Sequence, residues 1–207
     1  MRFDGTRDYV STDDLTMAVN AAITLERPLL VKGEPGTGKT ELARQVAASL
    51  GVPMIEWSIK STTRAQQGLY EYDAVSRLRD SQLGDERVND VKNYIRKGKL
   101  WQAFEAEGKT VLLIDEIDKS DEEFEAFLLE VLSAFQVSIP EIGTVVAKTP
   151  PLVFLTSNNM REMGDALKRR CLHLYIPLPD EKLEREIVAS RVPGIEERLT
   201  KQLVKFV

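Results

Sequence analysis

The sequence predicts an α/β fold in which a parallel sheet is covered by helices on both faces. Three observations carry this. Near-continuous apolar segments recur along the chain, and helix-period segments lie between them. The loop "GEPGTGKT" (Gly33–Thr40) joins the first apolar segment to the first long helical pattern. Strands buried on both faces lose the polar–apolar alternation of a one-sided sheet. Alternation of strand with helix implies crossover units that place helices on either side of it.

Ser11, with Asp14 three residues on, reads as a helix start, and Leu15, Ala18, Val19, Ala22 and Ile23 follow at helical spacing. Five strands are expected, at 28–32, 54–59 ("MIEWSI"), 110–115 ("TVLLID"), 152–157 ("LVFLTS") and 172–176 ("LHLYI"). Helices are expected at 39–50, 96–106 and 121–133, with Gly51 stopping the first. Two segments exceed this alternation. Residues 61–95 are too many for a simple crossover. In 135–149, Val137, Ile139 and Val145 flank a turn-like "PEIG", the pattern of an inserted β-hairpin. Long ordered insertions carry partner or substrate contacts more often than they decorate.

The 207 residues suffice for one sizeable α/β domain with a small appended piece. The chain is 43% hydrophobic and 29% charged, the profile of an ordinary soluble protein. No apolar run reaches membrane-spanning length and the first residues lack a signal-peptide pattern, so no membrane role and a cytoplasmic setting are expected. The single Cys171 excludes an internal disulfide, and with His173 as the only histidine, zinc chemistry is not expected. A net charge of −5 provides no global basic field and counts against nucleic acid as a partner.

The chemistry begins at the glycine-rich loop, which fits G-x-x-x-x-G-K-[ST]. Its glycines let backbone N–H groups turn inward around a polyphosphate, and the helix behind them aims its positive end at the same anion. Lys39 would reach the β- and γ-phosphates, and the Thr40 hydroxyl would sit on Mg²⁺. Such a loop needs an acid on a neighbouring strand. "VLLIDE" supplies Asp115 at a strand exit for the metal, and Glu116 to polarise a water for attack on the γ-phosphate. Asp118 ranks below both as a metal-site residue. After the next strand, Asn158 or Asn159 could orient that water. Arg169 and Arg170 close a helix-like stretch before the last strand, where a guanidinium could be paired with an acid or presented to a phosphate.

Taken in order, "GEPGTGKT", "VLLIDE", "LTSN" and "ALKRRC" resemble the AAA+ ATPases, over roughly residues 8 to 190. The insertion at 61–95 and the hairpin make the chain look like the MoxR branch, including relatives that serve carbon monoxide dehydrogenase. The resemblance implies a three-layer αβα core over 1–179, with a helical lid beginning at 180–207. It makes Lys39, Thr40, Asp115 and Glu116 the Walker residues, Asn158 sensor 1, and Arg170, ahead of Arg169, the arginine finger. ATP with Mg²⁺ would bind along Gly33, Glu34, Pro35, Gly36, Thr37, Gly38, Lys39, Thr40 and Glu41, with the adenine beside Tyr9 and Val10. A homo-hexameric ring is implied, with a partner carrying a von Willebrand A domain and a protein substrate, matured or remodelled by ATP hydrolysis. One departure concerns the lid. Its stripe Leu199, Leu203 and Val207 reads as half of a bundle, and Arg185 and Arg191 stand earlier than the family's sensor 2. A clamp-loader-like or helicase-loader-like ATPase, and a nucleotide-gated scaffold with negligible turnover, are the competing readings.

Overall fold

Strands that are apolar throughout must have both faces covered. In the computed structural model, which describes residues 1–139 and 143–192, they do. The chain runs α1 (Asp13–Leu25), β1 (Leu29–Lys32), α2 (Lys39–Leu50), β2 (Met54–Ser58), β3 (Tyr70–Tyr72), α3 (Ala74–Gln82), β4 (Ile95–Lys97) and α4 (Lys99–Glu105). It continues β5 (Val111–Asp115), α5 (Glu122–Ala134), β6 (Gln136–Ile139), β7 (Gly143–Val146), β8 (Leu152–Ser157), α6 (Asp165–Arg170), β9 (Leu172–Tyr175) and α7 (Glu181–Arg191).

The expected five-stranded sheet forms, in the order β2-β5-β8-β1-β9, and its pairs are all parallel. The pleat sends alternate residues to opposite faces. Leu29, Val31, Leu113 and Phe154 pack on one side with Val19 of α1 and Leu42 and Val46 of α2. Leu30, Leu112, Ile114 and Leu155 pack on the other with Phe104 of α4 and Phe124 and Leu128 of α5. Because every pair is parallel, all five strands end on one edge, and the loops at that edge are neighbours. No helix among the described residues is long and apolar enough to cross a membrane.

Two expectations are corrected. The first helix is capped by Thr12, not Ser11: Thr12 Oγ1 accepts from the Leu15 N–H at 3.3 Å. A cap must reach the N–H three residues on while its own backbone is extended, and Thr12 meets both conditions. The helix expected over 96–106 begins at Lys99, because Arg96 and Lys97 belong to β4, whose antiparallel partner is β3. The lengthy segment after β2 is therefore a folded unit, a two-stranded ribbon carrying α3. The buried carboxylate of Asp80 ties it together, accepting from Tyr94 Oη at 3.0 Å and pairing with Arg79 and Arg87 at 3.2 and 3.5 Å. A charge this deep is tolerated because it is paired. The expected hairpin is present as β6 and β7, with Val137 opposite Val145. Residues 140–142 of its "PEIG" turn, and the stripe Leu199, Leu203 and Val207 beyond 192, lie outside the described residues.

The ribbon is seated on the core at two glycines. Trp57 of β2 lies over Gly68, where a Cβ would come within 2.3 Å of the indole. At Gly98 a Cβ would stand 2.4 Å from the carbonyl oxygens of both Gln67 and Gly68, while the Gly98 N–H donates to Leu69 O at 2.6 Å. Backbone cannot retreat as a flexible side chain can. Gly98→Ala is therefore expected to cost about 2 kcal/mol in urea unfolding, as overpacked sites do. Gly108→Ala, where a Cβ meets nothing within 4 Å, should stay within about 0.5 kcal/mol of the parent.

Candidate functional site

The loop after β1 has to turn sharply without blocking its own interior. Gly33 follows β1 so closely against the end of β9 that a Cβ would lie 2.3 Å from Ile176 O. Gly36 and Gly38 have φ of +85° and +84°, a conformation that L side chains rarely adopt. Gly38 gives α2 no side-chain cap, so the first N–H groups of the helix are left to an external anion. Lys39 is 7% exposed, and its Nζ donates to Gly33 O at 2.9 Å and Glu34 O at 2.7 Å. Burial lowers its pKa from the ordinary lysine value, while the carboxylates of Asp115, Asp118, Glu34 and Glu116 act in the opposite sense. The cation is thus sheathed by the loop it serves, with acids on the far side.

Those acids come from the exits of β5 and β8. Thr40 Oγ1 donates to Asp115 Oδ1 at 3.0 Å, and Thr156 Oγ1 donates to the same oxygen at 2.5 Å. Thr156 Oγ1 also accepts from the Glu116 N–H at 2.9 Å. Glu116 itself sits at φ 61°, a left-handed position for a residue with a side chain, and its Oε2 pairs with Lys119 Nζ at 2.6 Å. Strain of this kind costs on the order of 1 kcal/mol and collects where geometry is functional. Of the two asparagines, Asn158 lines the cavity shared by Lys39, Thr40, Asp115 and Glu116, which has a volume of 380 Å³. Asn159 makes the turn instead, with φ 59°. Asp118 is 4% exposed and turned toward the backbone of this same loop, so the metal-site role ranked for it third has no geometric support.

A second cavity of 360 Å³ opens on the other side of Gly36 and Gly38, lined by Tyr9, Val10, Leu174, Ile176, Leu183 and Ile187. Tyr9 Oη donates to Gly38 O at 3.5 Å, and burial, with a lesser push from Glu41, raises its pKa to about 12 against the opposing Arg191. From α7, Arg191 Nη2 reaches Glu41 Oε1 at 3.4 Å. One cavity is polar and cationic at its floor, and the other is largely apolar. Together they accept a molecule with a polyanionic end and a flat, apolar end. Two oxygen groups, the Thr40 hydroxyl and the Asp115 carboxylate, could hold Mg²⁺. Among the described residues there is no cluster of three or more metal-binding side chains, so such an ion needs phosphate oxygens to complete its shell, as Mg²⁺ commonly does.

Arg169 and Arg170 are not in this group. They end α6 just before β9, whose Leu172 pairs with Leu29 at the start of β1. The length of a four-residue strand, roughly 13 Å, separates that register from the phosphate loop. Arg170 Nη1 donates to Ser133 Oγ, and Arg27 donates to the carbonyls of Arg170 and Arg169 at 3.2 and 2.7 Å. The sequence reading missed Thr156, whose signal was a hydroxyl directly after four apolar residues of its strand. It also missed Arg44, which lines the polar cavity and pairs with Glu56 at 2.9 Å, and the Glu41 contact of Arg191, for which spacing gave no signal.

Known proteins resemble this chain in sequence and in fold. The family model described as "ATPase family associated with various cellular activities (AAA)" matches residues 29–178. An uncharacterized protein from Staphylococcus haemolyticus is 22% identical over 96% of this chain and 74% of its own length. The ATP-dependent zinc metalloprotease YME1 homologue of Schizosaccharomyces pombe is 27% identical over 75% of this chain, which spans a fifth (20%) of that protein. A solved structure from Cytophaga hutchinsonii superposes with a TM-score of 0.60 at 15% identity, covering 91% of this chain and 55% of that one, a likeness of fold.

Lys39→Ala removes the sheathed cation of the loop. It should weaken ATP binding at least ~10-fold by calorimetry, equivalent to losing roughly 1.4 kcal/mol of charge-assisted contact. Unchanged affinity would refute the placement of phosphate at this loop. Glu116→Gln keeps shape and hydrogen bonding but loses the basic oxygen, so ATP should bind as before while turnover falls roughly 10²-fold. Persisting turnover would move the base elsewhere.

Proposed function

The chain belongs to the AAA family of ATPases, and from that premise we propose that it hydrolyses Mg²⁺-ATP at the paired cavities to remodel or mature a protein partner. The observation that carries the proposal is the convergence of Lys39, Thr40, Asp115, Glu116 and Asn158 on one cavity at the carboxyl edge of β1, β5 and β8. The triphosphate would lie along Gly33–Thr40, with its base in the apolar cavity beside Tyr9 and Val10. Lys39 would exchange its loop carbonyls for phosphate oxygens. Thr40 and Asp115 would hold Mg²⁺, which when bound neutralises phosphate charge. Asn158 orients the attacking water, and Glu116 takes its proton as the new O–P bond forms and ADP leaves.

Arg170 does not join this constellation, since it lies at the amino edge of the sheet. We assign Arg170 to the ATP of a neighbouring copy in a ring, where an always-charged fork stabilises charge that develops in the transition state. Support for a protein target comes from the relative named as an ATP-dependent zinc metalloprotease. The inserted ribbon and the hairpin support the MoxR-type assignment, with a hexameric ring, a von Willebrand A partner and metalloenzyme maturation as its finer content. An acidic chain with net charge −5 disfavours the DNA-directed alternative.

The test mixes two variants, Arg170→Ala and Lys39→Ala, each nearly inactive alone. An intact site forms wherever a Lys39→Ala chain lends Arg170 to the intact loop of an Arg170→Ala chain. ATPase activity should partly return on mixing, and Arg170→Ala alone should lower kcat ~10- to 1000-fold with little change in ATP affinity. Co-assembled chains that stay inactive would show that Arg170 does not act in trans.

A further inference from the structure

Asp118 stands three residues beyond Asp115 and takes no part in the mechanism above, yet it is among the few charged side chains buried in the core. Its Oδ2 accepts from the N–H of Asn158 at 3.1 Å and from the N–H of Met160 at 3.0 Å. Its Oδ1 is buried and has no hydrogen-bond partner among the described residues. All of the hydrogen bonding that this carboxyl group makes to described residues therefore goes to the loop after β8. Burying a carboxyl group with one oxygen unserved costs free energy that a surface acid would avoid, so the arrangement persists for what the other oxygen holds.

What it holds is the path of the backbone around Asn158. Asn159 adopts φ 59°, which turns the chain so that N–H groups on either side of it point at one acceptor. The Asn159 N–H is taken separately, by Ser157 Oγ at 3.1 Å. Asp118 lies in the short turn Ile117–Lys119 that Glu116 opens, and that turn also returns Lys119 Nζ to the Glu116 carboxylate. The turn that carries Glu116 and the loop that carries Asn158 are thus joined through the Asp118 Oδ2 atom.

We propose that Asp118 is a positioning residue for hydrolysis: it fixes Asn158 relative to Glu116, and it acts through Asn158 without touching nucleotide. This rests on the reading that Asn158 faces the γ-phosphate. A positioning role separates from a merely structural one because an amide can replace the carboxylate. In Asp118→Asn the amide oxygen can accept both N–H groups, while the amide nitrogen falls in the unserved place and lowers stability. If the role is positioning, kcat follows the acceptor. If it is structural, kcat follows stability.

The experiment measures steady-state ATPase kinetics, urea stability and amide hydrogen exchange on the full chain and its variants. In the parent protein the Asn158 and Met160 amides should exchange at least ~10-fold more slowly than the adjoining loop amide of Arg161; equal rates would overturn the proposal without any variant. Asp118→Ala should lower kcat ~10- to 100-fold with KM for ATP within ~3-fold, and should release both amides. Asp118→Asn should restore kcat to within ~3-fold of the parent despite its lower stability. The double variant Asp118→Ala/Asn158→Ala should be no slower than Asn158→Ala alone, because groups in one chain of action are not additive. An Asn variant as slow as the Ala variant, or a double variant slowed by the product of the two effects, overturns the proposal. A slow Asn158→Ala beside an unaffected Asp118→Ala sinks the positioning role and leaves the phosphate-facing reading standing. A silent Asn158→Ala beside a slow Asp118→Ala sinks both.

Discussion

Thr156 Oγ1 donates to Asp115 and accepts from the backbone of Glu116, so one hydroxyl of the central strand fixes two consecutive residues at the exit of its neighbour. The remaining geometry of the site depends on this bridge. Asp115 is then presented to Thr40 in the first turn of α2, which pins the phosphate loop to β5. Glu116, in a left-handed conformation, has its N–H held by the same hydroxyl. Thr156 can make the bridge only because the sheet is parallel in the register Ile114 to Leu155, which places the two strand exits side by side. A change of one residue in that register would turn Thr156 to the opposite face.

The same register sorts the molecule into two ends. At the carboxyl edge, loops from β1, β5 and β8 bring a cation, a hydroxyl, two carboxylates and an amide to one cavity. At the amino edge, Arg27 closes the last carbonyls of α6, and Arg170 lies against Ser133 of α5. Arg27 and Arg170 thus lie at the edge remote from the phosphate loop.

Much of this was legible in the residues, because each feature had a local cause. The five strands were readable as apolar runs, and Asp115 and Glu116 as acids ending one of them. The phosphate loop was readable because glycine at fixed spacing has a steric reason, which Gly33 against Ile176 O makes explicit. What escaped depends on pairing across the chain. The β3–β4 ribbon joins Tyr70 to Lys97, with no alternation in either strand to announce it. Arg96 and Lys97 resembled a helix start because Gly98 and the residues after it are helical in pattern. Choosing between Asn158 and Asn159 required knowing which residue makes the turn. Asp118 looked like a spare metal ligand because a sequence does not say which way a carboxylate points.

The seat of the inserted ribbon has an optical consequence. Both tryptophans of the chain lie at that seat: Trp57 is 7% exposed, stacked over Gly68 and 5.1 Å from the Phe124 ring, and Trp101 is 3% exposed with Lys97 Nζ 5.3 Å from its ring. Neither indole lines the phosphate cavity or the apolar cavity beside it. Intrinsic emission from this protein is therefore a reporter of whether the ribbon is docked on the core, and it is silent on the cavities themselves. A wavelength shift on adding nucleotide would register the ribbon moving at a distance, which makes the native chromophores a built-in gauge of communication between the two.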